Sequence, residues 1–160
     1  MVLNLSGEVD YEMLNKLILA FNTLKEAEEL CIYFSSSGGL VDVAEAIIDF
    51  INTNKERISI TFYGEIFSSG MNIFLKTSCR KKILPDTRGM FHFSWQEVTI
   101  SEGGKPNSSY DIFSLKEMKA SKNRTIAYLK TTKLTETEIN SIKKGRDIYF
   151  SHTRMEEIIF

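Results

Sequence analysis

Two histidines bound the chemistry that this 160-residue chain can perform. His92 lies in Met90-Phe91-His92-Phe93, and His152 lies in a polar terminal segment. Cys31 and Cys79 are far apart and form no CxxC pair. Such a set is poor in zinc ligands, so neither metal hydrolysis nor a metal site is indicated. A Ser/His/Asp mechanism needs only one histidine, and His92 is the candidate. A serine that could work with it sits in Gly64-Glu65-Ile66-Phe67-Ser68-Ser69-Gly70-Met71, where a strand runs into a turn and then an apolar helix. That geometry can hold a hydroxyl outward with a helix dipole behind it, as a nucleophile elbow requires, although the GxSxG spelling is absent. The ordinary alternative is that Ser68 or Ser69 is a helix N-cap. A second loop, Ser35-Ser36-Ser37-Gly38-Gly39, joins a buried strand to a helix. Its paired glycines can expose backbone N–H groups beside a positive helix end. Taken alone, the loop reads more simply as a flexible turn with a helix cap. His92 itself, flanked by aromatic residues, also reads as a satisfied core residue.

These residues need a frame. Val2 to Leu5 reads as a short strand, and Asp10 can cap a helix carrying Leu14, Leu17, Ile18 and Phe21 on one face. Leu30 to Phe34 reads as a buried strand, followed by a helix with a Val43, Ala46, Ile47, Phe50, Ile51 stripe. Ile58, Ile60 and Phe62 alternate as a strand that Gly64 breaks, and a short helix runs from Gly70 to Lys76. Strands follow near Lys82–Leu84 and Gly89–Phe93. This β-α-β-α-β-α order predicts an α/β domain with mostly parallel pairing, whose sites lie beyond the carboxyl ends of its strands. Trp95 to Ile100 reads as a strand, Ser101 to Ser109 as a loop, and Tyr110 to Thr131 as a long helix. The apolar residues of that helix, Ile112, Phe113, Leu115 and Ile126, Tyr128, Leu129, flank a polar centre, which suits a helix docking outside its own domain. Thr135 with Glu138 spells a capping box, Gly145 fits a helix stop, and Asp147 to Phe150 reads as a last strand.

Composition narrows the function class. The chain is 42% apolar and 26% charged, with a net charge of −1, so it reads as one soluble globular domain over 1–160 with no global field for nucleic acid. Between Tyr110 and Arg146 nine Lys/Arg stand against four Asp/Glu, read as a solvated helix surface or an oligomer contact. No signal peptide and no membrane-length apolar run is present, so the expected compartment is cytoplasmic. The GxxxxGK[ST] phosphate loop is absent, so nucleotide binding is not expected, and no cofactor is implied.

Taken in register, these segments resemble a family. Gly64 to Gly70 resembles the ClpP pattern G-Q-A-A-S-M-G, and Leu84-Pro85-Asp86-Thr87-Arg88-Gly89-Met90-Phe91-His92 is similar to its L-P-N-S-R-V-M-I-H. Ser35 to Gly39 resembles N-S-P-G-G, and Arg146-Asp147-Ile148-Tyr149-Phe150-Ser151 resembles R-D-R-F-L-S. Leu5-Ser6-Gly7-Glu8-Val9 fits the first strand and turn of the family. The resemblance covers nearly the whole chain.

The resemblance implies a ClpP/crotonase-like fold of β-β-α type repeats with a protruding handle, a strand plus long helix at about 93–131. It implies Ser68 as nucleophile, His92 as general base and Asp147 as the residue orienting it, with the backbone N–H groups of Gly39 and Ser69 as oxyanion hole. The activity implied is a serine endopeptidase that cleaves peptides or unfolded proteins. The peptide would add as a strand near Phe91–Trp95, inside a homo-oligomeric chamber of heptameric or stacked rings. Two rivals share the fold: a silent scaffold subunit, and an acyl-CoA enzyme working with carboxylates. Ser37 stands where the family has proline, and Ser69 where it has methionine, which makes the nearby pocket more polar. The chain is read as starting at the first strand and as stopping after Asp147 without a last helix and strand. On that reading, docking of an AAA+ unfoldase is not expected, and cleavage of small substrates should proceed without ATP.

Overall fold

The computed structural model describes residues 1–93 and 109–159. Strands and helices alternate through the first half: β1 Val2–Val9, α1 Tyr11–Asn22, β2 Leu30–Gly39, α2 Val41–Thr53, β3 Ile58–Phe67 and α3 Ser69–Lys76. Then come β4 Arg80–Ile83, β5 Arg88–Phe91, α4 Ser109–Leu129, α5 Glu136–Lys143, β6 Ile148–Phe150 and α6 His152–Ile159. The expected strand at Trp95–Ile100 and the loop after it lie outside the described residues, and so does the strand part of the handle.

The sheet runs β1-β2-β3-β5-β6, with β4 beside the first half of β3 and β5 beside its second half. All pairs are parallel except β5–β6, which is antiparallel. The mostly parallel α/β fold expected from the sequence is therefore the fold observed. Its core is apolar on both sides of the central strands, as buried parallel strands require. Phe34, Phe62 and Phe74 stack edge to face at 5.8 and 4.9 Å, tying β2 and β3 to α3.

Three strands are longer than their hydrophobic runs. β1 continues past Leu5 to Val9, β2 past Phe34 to Gly39, and β3 past Phe62 to Phe67. Serine and glycine give no strand signal, yet these segments still pair through their backbones. The β2–β3 register slips between Phe34 and Ser36: Phe34 faces Phe62, but Ser36 faces Ile66. Three residues of β3, Gly64 among them, bulge against one residue of β2. Gly64 thus interrupts the ladder without ending the strand.

Three further differences concern helices. On α2 the buried face carries Ala44 and Ile48 with Val43, Ile47 and Ile51, while Ala46 is exposed. The apolar C-terminal end of α4, expected to dock elsewhere, packs on its own chain: Leu129 is fully buried and the Tyr128 hydroxyl donates to Leu75 O at 2.9 Å. The chain also does have a last helix, α6, which buries Met155 and Ile158. Polar residues around those two positions hide its short apolar stripe in the sequence. Asp10 caps α1 through Met13 N at 2.8 Å, and the Thr135–Glu138 capping box is formed.

Candidate active site

Ser68 leaves β3 where Phe67 pairs with Met90 of β5, and its N–H donates to Met90 O at 2.8 Å. It occupies the N-cap position of α3, but its side chain makes no capping hydrogen bond. Its backbone instead adopts φ 53° and ψ −118°, a left-handed conformation that is costly for a residue with a side chain. That twist aims Oγ away from the helix N–H groups and towards the end of β5.

There it meets His92. Ser68 Oγ and His92 Nε2 lie 2.7 Å apart, a good hydrogen-bond distance. His92 follows β5 directly, and Asp147 directly precedes β6. Because Phe91 pairs with Ile148 in the antiparallel ladder, the next step beyond it puts His92 opposite Asp147. His92 Nδ1 lies 3.5 Å from Asp147 Oδ1, an ion-pair separation that is long for a hydrogen bond. Contacts of this kind shorten on binding in many hydrolases. His92 is mostly shielded, with 22% of its side chain exposed against 47% for Asp147. Three residues distant in sequence are thus drawn into one line by two neighbouring strand pairings.

The glycine segment closes the other side of Ser68. Gly38 has φ 109°, and a Cβ there would lie 2.6 Å from Ser68 Cβ and 3.2 Å from its Oγ. Gly39 has φ 145° and is pressed against β1, where a Cβ would come within 2.4 Å of Val9 O. Ser36, buried, accepts the Gly38 N–H on its Oγ at 3.1 Å. Sequence reasoning gave Gly38 and Ser36 no separate role. Their signal was a small-residue run that had to let two backbones meet. Ser69 opens α3, so its N–H has no carbonyl of that helix to bond. Its side chain is 1% exposed and its Oγ has no hydrogen-bond partner among the described residues.

A hydroxyl held against a shielded imidazole, beside free helix N–H groups, can support nucleophilic acyl transfer. Among the described residues no three His, Cys, Asp or Glu side chains cluster closely enough to hold a metal ion. Cys31 and Cys79 are free thiols, and His152 pairs with Glu156 at 3.5 Å. No described helix is long and apolar enough to cross a membrane.

Comparison with known proteins follows the same lines. The fold is similar to a single-residue mutant of ClpP1 from Listeria monocytogenes, with a TM-score of 0.71 and 21% identity over 98% of this chain and 86% of that one. No curated protein matches the sequence. A Clp protease family model matches residues 1–157, which spans every element of the sheet and every residue of the site, and the chain belongs to that Clp protease family.

Proposed function

We propose that this chain is a serine endopeptidase in which Ser68 attacks the scissile carbonyl, His92 is the general base and Asp147 orients it. The observation that carries this reading is the 2.7 Å contact of Ser68 Oγ with His92 Nε2, made by a serine in a strained conformation with its capping bond unmade. Strain without a capping bond has no structural benefit, which favours a chemical use over a packing one. His92 with its proton on Nδ1, towards Asp147, presents a bare Nε2 to the Ser68 hydroxyl. As Oγ bonds to the carbonyl carbon, the hydroxyl proton of Ser68 passes to Nε2, and the proton on Nδ1 stays in place. The oxyanion is received by the N–H of Ser69 and that of Gly39. The imidazolium then protonates the departing amine, and water, activated by the same nitrogen, releases the acyl group.

The substrate class follows from access. The β3–β5 ladder ends at Met90, so beyond it the Ser68 side of β5 has no strand partner among the described residues. Up to Met90 both edges of β5 are occupied, which narrows the expected peptide-docking strand to its Phe91 end. An extended peptide can add there through its backbone, with its carbonyl beside Ser68. Chamber assembly is part of the proposal. Exposed Val2, Leu19 and Tyr149 are candidates for burial between subunits.

The test is labelling with a fluorophosphonate, followed by light scattering. We expect covalent labelling at Ser68 and a mass several times 18.3 kDa. No labelling of correctly assembled protein would favour the silent-subunit reading, and a monomer at micromolar concentration would remove the chamber.

A further inference from the structure

A cavity of about 320 Å³ lies where the C-terminal end of α3, the segment after α4 and the last turn of α6 meet. Phe74, Leu75, Ile158 and Ile159 give it apolar walls, and among the described residues no carboxylate lines it. Its hydroxyls are already committed as donors. Thr77 Oγ1 donates to Ile73 O, Tyr128 OH to Leu75 O, Thr131 Oγ1 to Tyr128 O and Thr132 Oγ1 to Leu129 O, at 2.7, 2.9, 2.7 and 2.6 Å. An apolar group entering the cavity would therefore strand no hydroxyl donor.

Lys81 of β4 is the reactive group on this wall. Its Nζ donates to Phe74 O at 2.6 Å and lies 5.7 Å from the Phe74 ring centroid. It has no ion pair among the described residues, whereas the partly buried Lys76 holds Glu45. A helix-end carbonyl needs a donor but no charge, and neutral hydroxyls serve Ile73 O and Leu75 O next to it. Burial lowers the basicity of Lys81 to about 8, opposed weakly by Cys79 two residues earlier. The other ionisable groups on the cavity are Tyr128 of α4 and the exposed Lys133 after it. An uncharged Lys81 keeps an N–H for Phe74 O and has a lone pair free for attack, as desolvated nucleophilic lysines do.

We infer that Lys81 is a site of covalent modification, an amine that takes a short aliphatic acyl group from an acyl thioester and seats it in this cavity. The nitrogen lone pair attacks the thioester carbonyl and a C–N bond forms. The C–S bond breaks, and the thiol leaves with the proton that the nitrogen gives up. The acyl chain then lies against Phe74, Leu75, Ile158 and Ile159. The amide product keeps one N–H for Phe74 O and carries no charge, so the desolvation cost of a buried ammonium is removed.

This inference is independent of the proposed nucleophile. Folded Ser68→Ala protein is used, so that Ser68 cannot consume the reagent. The probes are the acetyl and butyryl thioesters of a small thiol, with acylated lysines followed at early times by peptide mass spectrometry. At about pH 7.5 roughly a quarter of amines with a pKa near 8 are neutral, against about one in a thousand ordinary lysines. Restricted access and weaker basicity offset part of that advantage. We expect Lys81 to be acylated at least about tenfold faster than the exposed Lys82 and Lys133 by either reagent, and the excess to vanish in urea that unfolds the chain. Acylation of Lys81 no faster than that of Lys82 in the folded protein overturns the inference. An excess that survives urea also overturns it, because it then owes nothing to the cavity. An excess with acetyl that is absent with butyryl overturns the seating of an acyl chain on the apolar wall.

Discussion

A side chain at Gly38 would place its Cβ 2.6 Å from the Cβ of Ser68. No real pair of β-carbons tolerates that distance, so one of the two segments would have to move. The neighbour that must yield belongs to the proposed nucleophile. Gly38→Ala should therefore cost activity out of proportion to stability. Displacing Ser68 Oγ by about 1 Å from His92 is worth on the order of 10² in rate. Strain at φ 109° should cost only about 1–3 kcal/mol. Fluorophosphonate labelling rates and thermal melts of the variant measure the two effects. Labelling within a few-fold of wild type would mean that Gly38 does not position the nucleophile.

Ser68 and Ser69 make opposite predictions. Ser68 is partly exposed and bonded to His92, whereas Ser69 is buried with its hydroxyl unpartnered among the described residues. Ser68→Ala should abolish labelling without harming the fold. Ser69→Ala removes a buried hydroxyl that gains nothing, so labelling should persist and stability should hold or rise by about 1 kcal/mol. A melt some 2–4 °C higher would match that figure for a chain of this size. If Ser69→Ala were the variant that lost labelling, the nucleophile would be one residue later than proposed.

Asp147 stands 3.5 Å from His92, and in the proposed triad it would hold the imidazole in one tautomer rather than exchange a proton. Asp147→Asn keeps the shape but can turn a donor towards Nδ1, leaving Nε2 protonated against Ser68. We expect kcat to fall by on the order of 10²–10⁴ with KM nearly unchanged. Equal activity of wild type and variant would remove Asp147 from the mechanism.

Much of this site was legible because its parts sit where regular elements end. The strand signal of Ile58–Phe62 and the apolar helix after Gly70 bracket Ser68 whatever happens between them, and His92 closes an aromatic strand. What the sequence could not carry was the pairing of β5 with β6. Ile148–Phe150 is three residues long, and nothing local says that it runs antiparallel, yet that ladder alone sets Asp147 opposite His92. The extension of β2 and β3 was invisible for a related reason. Their serine and glycine residues pair through backbone atoms that carry no residue-type signal. The packing of the C-terminal end of α4 on its own chain was hidden because its stripe is broken. Tyr128 bonds a carbonyl through its hydroxyl, an interaction that hydrophobic periodicity does not register.

That carbonyl belongs to a wider arrangement at the C-terminal end of the helix that Ser68 precedes. The last four carbonyls of α3 each accept from a side chain: Ile73 O from Thr77 Oγ1, Phe74 O from Lys81 Nζ, Leu75 O from Tyr128 OH and Lys76 O from Asn52 Nδ2, at 2.7, 2.6, 2.9 and 3.1 Å. Ile73 O also accepts the Thr77 backbone N–H at 3.2 Å, and the other three are helix-end carbonyls with no partner inside α3. Lys81 is the one charged member, and burial pushes its amine down to about 8 from an ordinary 10.5. The neighbouring Cys79 opposes that shift weakly, and Lys133 is the other ionisable cation lining the adjoining cavity. Below pH 8 both the folded and unfolded chains carry the Lys81 proton, and the cost of burying the charge is fully present. Between about 8 and 10.5 the unfolded chain keeps that proton while the folded chain has released it. The unfolded state then binds more protons, so raising the pH through this window stabilises the fold. The full relief is on the order of 3 kcal/mol. Lys81→Met removes the titration, so the gap between wild type and variant should move in favour of wild type as pH rises from 8 to 10.5. Urea unfolding of both chains at several pH values gives that difference with surface titrations cancelled. A gap that stays flat across the window would mean that Lys81 keeps its charge in the folded chain, and that its bond to Phe74 O outweighs its burial.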